Sequence, residues 1–378
     1  MKIQDICTVF TDGDWIESKD QSDEGIRLVQ TGNIGEGKYL EKESRAKYVS
    51  EETFERLKCT EIFPGDILVS RLPEPVGRAC IIPNKDERMI TAVDCTICRP
   101  DERRILKEYL CYFMQSNTYY ARLLGNVTGT TRKRISRKNL GNVELNVSSI
   151  EVQREIVNRL DRLVCVIESR KKELQLLDEL IKARFVEMFG TIYDNKYGFE
   201  IKTIQDVCEQ IKDGTHQTPT YTDDTKNGFK FLSSKDVTTG KIDWSKIKYI
   251  PADLHEELYK RIKPQKGDIL LAKNGTTGVA AIVETDEVFD IYVSLALLRP
   301  IEMNSVYLWA AVNSVETKRQ FDGNLKGIGV PNLHLGEIKK TQILVPSIEL
   351  QEQFADFVKQ VDKSKFWEEG YEQINNLQ

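Results

Sequence analysis

The sequence predicts an α+β protein: two tandem mixed α/β domains, each followed by a long helix, with the two helices pairing as an antiparallel coiled coil of pseudo-twofold symmetry. Three observations predict it. The chain repeats itself in order, at an offset near 200 residues. Within each copy, short extended runs alternate with turn residues and a few helical patches. After each copy comes a stretch with the apolar spacing of a helix seam.

The repeat carries the domain division. "IQDIC" at 3–7 recurs as "IQDVC" at 204–208, and "IRLVQTGNIGEGKYL" at 26–40 aligns with "FKFLSSKDVTTGKID" at 229–243. "GDILVSR" (65–71) aligns with "GDILLAK" (267–273), and "GRACII" (77–82) with "GVAAIV" (278–283). "CTICRP" (95–100) aligns with "LALLRP" (295–300), "LGNVTG" (124–129) with "DGNLKG" (322–327), and "SSIEVQREIV" (148–157) with "PSIELQEQFA" (346–355). Order kept over seven blocks sets the expected units: a first domain over 1–149, a spacer helix over 150–190, a second domain over 191–347 and a C-terminal helix over 348–378. In the first domain "GIRLVQTG", "GDILVSR", "GRACIIP" and "MITAVDCTIC" read as strands. "SEETFERLK" (50–58) and "LKEYLCYFMQSNTYYARLL" (106–124) read as helical patches.

From Ile150 to Val186 there is neither Gly nor Pro. Val157, Leu160, Val164, Ile167, Leu174, Ile181 and Phe185 follow a three-four spacing, so they are the expected seam toward a partner helix. Eight acids balance eight bases between Glu151 and Glu187, as solvated flanks require. The second helix opens after Pro346 with Leu350, Phe354, Phe357, Val358 and Val361. "FWEEGYEQINNLQ" then breaks the apolar pattern near Gly370, so this helix is expected to be short or altered.

Two motifs imitate chemistry and lose it on comparison with the second copy. "TGNIGEGKY" (31–39) has the glycine and lysine spacing of a phosphate loop, but Tyr39 stands where a Mg²⁺-holding hydroxyl is needed. Its other loop glycines align with Lys235 and Thr238, so it reads as a strand, a Gly turn and another extended run. Cys95 and Cys98 align with Leu295 and Leu298. With three histidines in 378 residues and no second Cys pair, they read as buried strand thiols, not zinc ligands.

Composition is ordinary for a globular chain, with 40% apolar and 30% charged residues. The eight scattered cysteines are expected to be reduced. There is no apolar run of 18 residues and no secretory leader in "MKIQDICTVF", so the expectation is a cytoplasmic protein without a membrane partner. The net charge of −5 argues weakly against nucleic acid until its distribution is considered. Residues 349–378 hold seven acids and three bases, which leaves the rest near neutral with basic clusters.

The clearest cluster is "TGTTRKRISRK" (128–138): Thr130, Thr131, Arg132, Lys133, Arg134, Arg137 and Lys138. Such residues neutralise phosphates, and Arg also reads guanine bidentately. The second copy has the nearly uncharged "KGIGVPN" here, so the shared fold does not need the cluster; the competing reading is a solvated loop. In the second copy the candidates are Thr215, His216, Gln217 and Thr218 in "DGTHQTPTY", and Lys273 and Asn274 in "LLAKNGTTG", with Arg71 as the first-copy counterpart of Lys273. No catalytic motif is found, and the chain is expected to be non-catalytic and to bind no cofactor or metal. His216 near Asp213 could form a dyad, but nothing marks a nucleophile for it. Two similar but non-identical heads at a fixed separation suit reading duplex DNA at two places.

As a set, these features resemble the specificity subunits of type I restriction–modification systems. The resemblance rests on the two "GDIL" strands followed by Gly77 and Gly278, and on "SIEVQREIV" and "SIELQEQFA" opening the helices. It extends to "RFVEMFG" (184–190) and to "DGTHQTPTY…FLSSKDVTTGKIDW…GDILLAKNGTTGVAAIV", which looks like one recurrent type of target recognition domain. It implies two target recognition domains, each reading one half of a split asymmetric site in double-stranded DNA, with the helices setting the gap. It implies modification subunits that methylate adenine with S-adenosylmethionine, and restriction subunits that use ATP and Mg to translocate and cut. Alternatives are a specificity subunit serving methylation only, a silent recombination cassette, or, from another class, a coiled-coil scaffold that binds protein.

Overall fold

A computed structural model describes residues 1–129, 133–325 and 331–375, with side chains as far as Lys365. It divides into two compact units, Met1–Glu168 and Ser169–Gln378.

The first unit contains β1 (Cys7–Asp12), β2 (Ile26–Val29), β3 (Tyr48–Val49), α1 (Glu51–Leu57), β4 (Glu61–Ile62), β5 (Ile67–Ser70), β6 (Ala79–Ile81), β7 (Met89–Thr91) and β8 (Cys95–Pro100). Then come α2 (Lys107–Phe113), α3 (Asn117–Leu124), β9 (Val127–Thr128), β10 (Arg134–Ile135), α4 (Arg137–Gly141) and the start of α5 (Ile150–Phe189). One sheet runs β1-β8-β5-β6, antiparallel throughout; a second runs β3-β2-β7-β4, with β2 and β7 parallel; and β9 and β10 form a two-stranded antiparallel ribbon.

Alternation along the strands stacks these layers. Ile67, Val69 and Cys98 point to α2 and α3, where Leu110, Met114, Tyr119 and Leu123 close one core. Leu68, Cys95 and Ile97 point the other way, onto Val29, Ile62 and Met89 of the second sheet. That sheet's far face, Ile26, Leu28, Val49 and Ile90, is covered by Phe54 and Leu57 of α1. Because both faces of β5 and β8 are buried, they read as near-continuous apolar runs. Cys95 and Cys98 are fully buried in different cores, so they cannot share a metal ion, and burial pushes the Cys95 thiol up to about 12.

The second unit repeats the plan. It contains the rest of α5, then β11 (Glu200–Thr203), β12 (Cys208–Asp213), β13 (Phe229–Leu232), β14 (Lys248–Ile250), α6 (Ala252–Tyr259), β15 (Ile269–Ala272), β16 (Ala280–Ile282), β17 (Phe289–Ile291) and β18 (Leu295–Pro300). It ends with α7 (Ser305–Val312), α8 (Val315–Gly323), α9 (Leu335–Lys340), β19 (Gln342–Val345) and α10 (Ile348–Asn375). The sheet β12-β18-β15-β16 matches β1-β8-β5-β6, and β14-β13-β17 matches β3-β2-β7.

The repeated motifs are structural joints. Asp66 of "GDIL" is 2% exposed and pairs bidentately with Arg99 of "CRP", at 2.7 and 2.8 Å; Asp268 and Arg299 do the same at 2.7 Å for both bonds. The glutamine of "SIEVQ" is buried in the first turn of α5. Gln153 donates to the Arg104 and Ser148 carbonyls and accepts from Leu106 N, latching the helix to the loop before α2. Gln351 does this for α10, accepting from Asn304 N and donating to the Pro346 carbonyl.

Three expectations need correction. The patch at 106–124 is two helices, because Ser116 caps α3 by accepting from Tyr119 N and so restarts the chain direction. "TGNIGEGKY" has no second strand: a 3-10 turn at Thr31–Asn33 is followed by a bridge between Ile34 and Tyr39, and Lys38 is taken up by an ion pair with Glu168. The C-terminal helix, by contrast, is short as expected: α10 has 28 residues against the 40 of α5, and it stays helical through Gly370. The expected seam is covered only near the two ends of α5: Val157, Ile181 and Phe185 are buried and Leu160 and Leu174 half-buried, whereas Val164 (36%) and Ile167 (40%) are exposed.

In the second unit, Phe354, Val358 and Val361 of α10 pack on Ile181, Phe185 and Phe189 of α5. Phe354 lies 5.6 Å from Phe189 and 5.4 Å from Phe185, Phe357 lies under Arg184, and Lys365 reaches Asp178 at 2.6 Å. The contacts thus descend α5 as they ascend α10.

Candidate nucleic-acid interface

Of the sequence-predicted residues, Arg71 and Arg137 gather at the ends of β1 and β5, and His216 and Lys273 at the ends of β12 and β15. In the first, β1 ends at Asp12, and β5 runs into Arg71. Arg71 is 6% exposed, donates to the Val93 carbonyl and lies 3.4 Å from Asp12; burial pulls its pKa down and the carboxylate opposes this. The basic segment returns to the same place, because Ile135 N donates to the Arg71 carbonyl at 3.2 Å. Arg137 at the start of α4 then lies 3.8 Å from Asp12 and donates to the Thr11 hydroxyl, while Arg134 pairs with Asp94 at 2.9 Å. Lys133 and Lys138 are exposed and make no ion pair with a described residue. Thr130, Thr131 and Arg132 lie outside the described residues.

The second unit builds the same pole from other bases. Asp213 ends β12, and its carboxylate meets three basic side chains: Lys273 at 3.3 Å, Arg261 at 3.1 Å and the His216 imidazole at 3.2 Å. Lys273 is 6% exposed, and its carbonyl accepts from Leu333 N at 2.8 Å, as that of Arg71 accepts from Ile135. Thr215 is buried, with its hydroxyl accepting from Gln217 N; His216, Gln217 and Thr218 are exposed. Asn274 bridges Asn332 through the backbone, and the side-chain oxygens of both are buried without a hydrogen bond to a described residue.

Composition alone did not single out the acids. Asp12 and Asp213 hold the bases at both poles, Arg261 is a further base, and Trp15, 70% exposed, occupies in the first copy the place of His216. Extending the first aligned block to "CTVFTDG" and "CEQIKDG" reveals the shared Asp-Gly. The glycine has a steric cause: a Cβ on Gly13 would collide with the Thr91 carbonyl oxygen, and one on Gly214 with that of Ile291. Among the described residues, no group of three His, Cys, Asp or Glu side chains could hold a metal ion, and no helix is long and apolar enough to cross a membrane.

Two layered heads with matched polar poles define a tandem recognition architecture. The chain belongs to the family of the type I restriction modification DNA specificity domain, whose pattern it matches twice, over residues 1–179 and 196–376. It is 21% identical over 286 residues to the type I restriction enzyme MjaVIII specificity subunit of Methanocaldococcus jannaschii, covering 71% of this chain and 66% of that one. It is 24% identical over 287 residues to the EcoBI specificity subunit of Escherichia coli, covering 68% and 59%. The match therefore spans less than two thirds of either relative. Two solved structures share the fold: a chain from a study of complex assembly and conformational transition in a type I R-M system (TM-score 0.57, 15% identity, 100% of this chain and 94% of that one), and the type I restriction–modification S subunit from M. genitalium (TM-score 0.51, 14% identity, 100% and 92%).

Proposed function

We propose that this chain is the non-catalytic, sequence-specific DNA-binding specificity subunit of a type I restriction–modification complex. The observation that carries the reading is the pair of equivalent poles, Asp12 with Arg71 and Arg137, and Asp213 with Lys273, Arg261 and His216, in two heads of one family. Each head reads one half of a split duplex site. Because the bases differ between the heads, the half-sites differ, and the site is asymmetric. Arg134, Arg137, Lys133 and Lys138, with Thr130, Thr131 and Arg132, serve the first half-site. Thr215, His216, Gln217, Thr218, Lys273 and Asn274 serve the second. Side chains of this kind contact phosphates and base edges.

In this reading the domains are 1–149 and 191–347, and the helices at 150–190 and 348–378 pair as an antiparallel coiled coil about a pseudo-twofold axis, setting the gap between the half-sites. The opposed contacts of α10 along α5 support this. The subunit works in the cytoplasm with modification subunits that use S-adenosylmethionine, and with restriction subunits that use ATP and Mg.

The test is co-expression with the modification subunit, followed by mapping of N6-methyladenine across the host genome. A split asymmetric motif methylated on both strands is the expected result. A stable complex without any motif would identify a silent cassette, and neither complex nor motif would favour the protein-binding scaffold.

A further inference from the structure

We propose that Asp12 and Asp213 are positioning residues for recognition: each orients its head's basic side chains before DNA arrives and suppresses undirected attraction to phosphate. The proposal rests on the DNA-reading function above. The acid is the constant part of the two poles and the bases are the variable part. Asp12 gathers Arg71 from the end of β5 and Arg137 from α4. Asp213 gathers Lys273 from the end of β15, His216 from its own loop and Arg261 from the segment after α6. Only the base at the end of β5 or β15 comes from the same place in both.

A purely structural role does not account for this placement. Asp66 and Asp268, buried at 2%, already supply each domain with an acid-arginine joint of matched geometry. Asp12 and Asp213 lie instead where exposed groups collect, beside Arg137, whose side chain is 46% exposed, and His216, at 67%. Two chemical effects follow. Free Lys and Arg side chains give up rotamer freedom on docking, so bases already held by a carboxylate lose less. A carboxylate within 4 Å of each base also repels the nearest phosphates, which penalises binding that makes no base contact.

The expected signature is a split that simple loss of folding does not produce. Asp213→Asn keeps the shape and removes the charge. It should lower preference for the second half-site about tenfold or more, the scale of one good base contact. Affinity for unselected duplex should stay level or rise. Asp12→Asn should do the same to the first half-site only, and it serves independently if Asp213→Asn fails to fold.

The experiment uses the full chain to enrich a randomised duplex pool, scoring the motif in each half, affinity for the unselected pool and melting temperature. Flattening of one half-motif per variant, with pool affinity kept, supports the proposal. Enrichment of the wild-type motif by both variants overturns it, as does parallel loss of selected and unselected binding in variants that melt like the wild type. If the wild-type chain enriches nothing and binds the pool without salt dependence, the DNA-reading function itself fails, and this inference with it.

Discussion

Replacing Phe354 by Ala tests whether α10 is held to α5 in the way the aromatic contacts require. The Phe354 ring is fully buried, 5.4 Å from Phe185 and 5.6 Å from Phe189, both near edge-to-face. Truncating a buried Phe costs about 3–5 kcal/mol, of which each aromatic pair contributes roughly 0.5–1.5 kcal/mol. Because Phe354 anchors one end of a short contact that finishes at Lys365 and Asp178, a loss near 4 kcal/mol is expected. That is a large share of the roughly 5–15 kcal/mol that holds a domain together. Hydrogen exchange should show faster opening of amides at 350–362 and 178–189, while those of β12 and β18 keep their protection. Leu163→Ala, at a residue 56% exposed, should change stability by less than about 0.5 kcal/mol. A Phe354→Ala cost below about 1 kcal/mol, or unchanged exchange at 178–189, would refute the packing argument.

Asp268→Ala should cost about 2–4 kcal/mol in chemical denaturation, because it strips a bidentate partner from Arg299, and Asp66→Ala should cost somewhat less because Arg99 is a third exposed. Gly214→Ala forces a Cβ against the Ile291 carbonyl and should lower the melting temperature by several degrees, a loss of about 1–3 kcal/mol. Cys165 is exposed, whereas burial raises the Cys80 and Cys208 thiols to about 12 and Cys111 to about 11, so a thiol reagent at neutral pH should show one fast phase that disappears in Cys165→Ser. Those raised values also set an alkaline limit. Below the ordinary thiol value of 9.0 their contribution is complete, and it is lost as pH rises toward 11–12, so melting temperature should fall across that window. Lys133→Ala and Lys138→Ala should each weaken duplex binding about equally across sequences and reduce the salt slope by about one.

The architecture was legible because the repeat preserves its joints. "GDIL" and the Arg-Pro that ends "CTICRP" and "LALLRP" survive in both copies because Asp66 and Asp268 must meet Arg99 and Arg299, and "SIEVQ" and "SIELQ" survive because an amide must bridge two loops. The pole was half legible. Lys273 and Arg71 stood out as charged residues ending apolar strands, but their burial did not, since sequence cannot tell a base facing solvent from one folded onto a carboxylate. Asp12 was invisible to a search for basic clusters, and Arg261 lies after α6, in a segment outside the aligned blocks. The seam misled in its middle because a three-four spacing marks an apolar face without showing how far a partner extends along it. Val164 and Ile167 have the spacing and remain exposed.

The two glutamine latches determine where the chain can be cut and rejoined. Gln153 and Gln351 each tie the first turn of a helix to a loop of the head that precedes it, through hydrogen bonds to backbone groups alone. A backbone partner is the same whatever side chains surround it, so the latch does not depend on which bases the head carries. A crossover just after the latch would transplant a head with its helix outlet already aimed. One just before it would leave the helix start without its tie, and the new head would swing. The natural unit of exchange is therefore a head plus one helical turn.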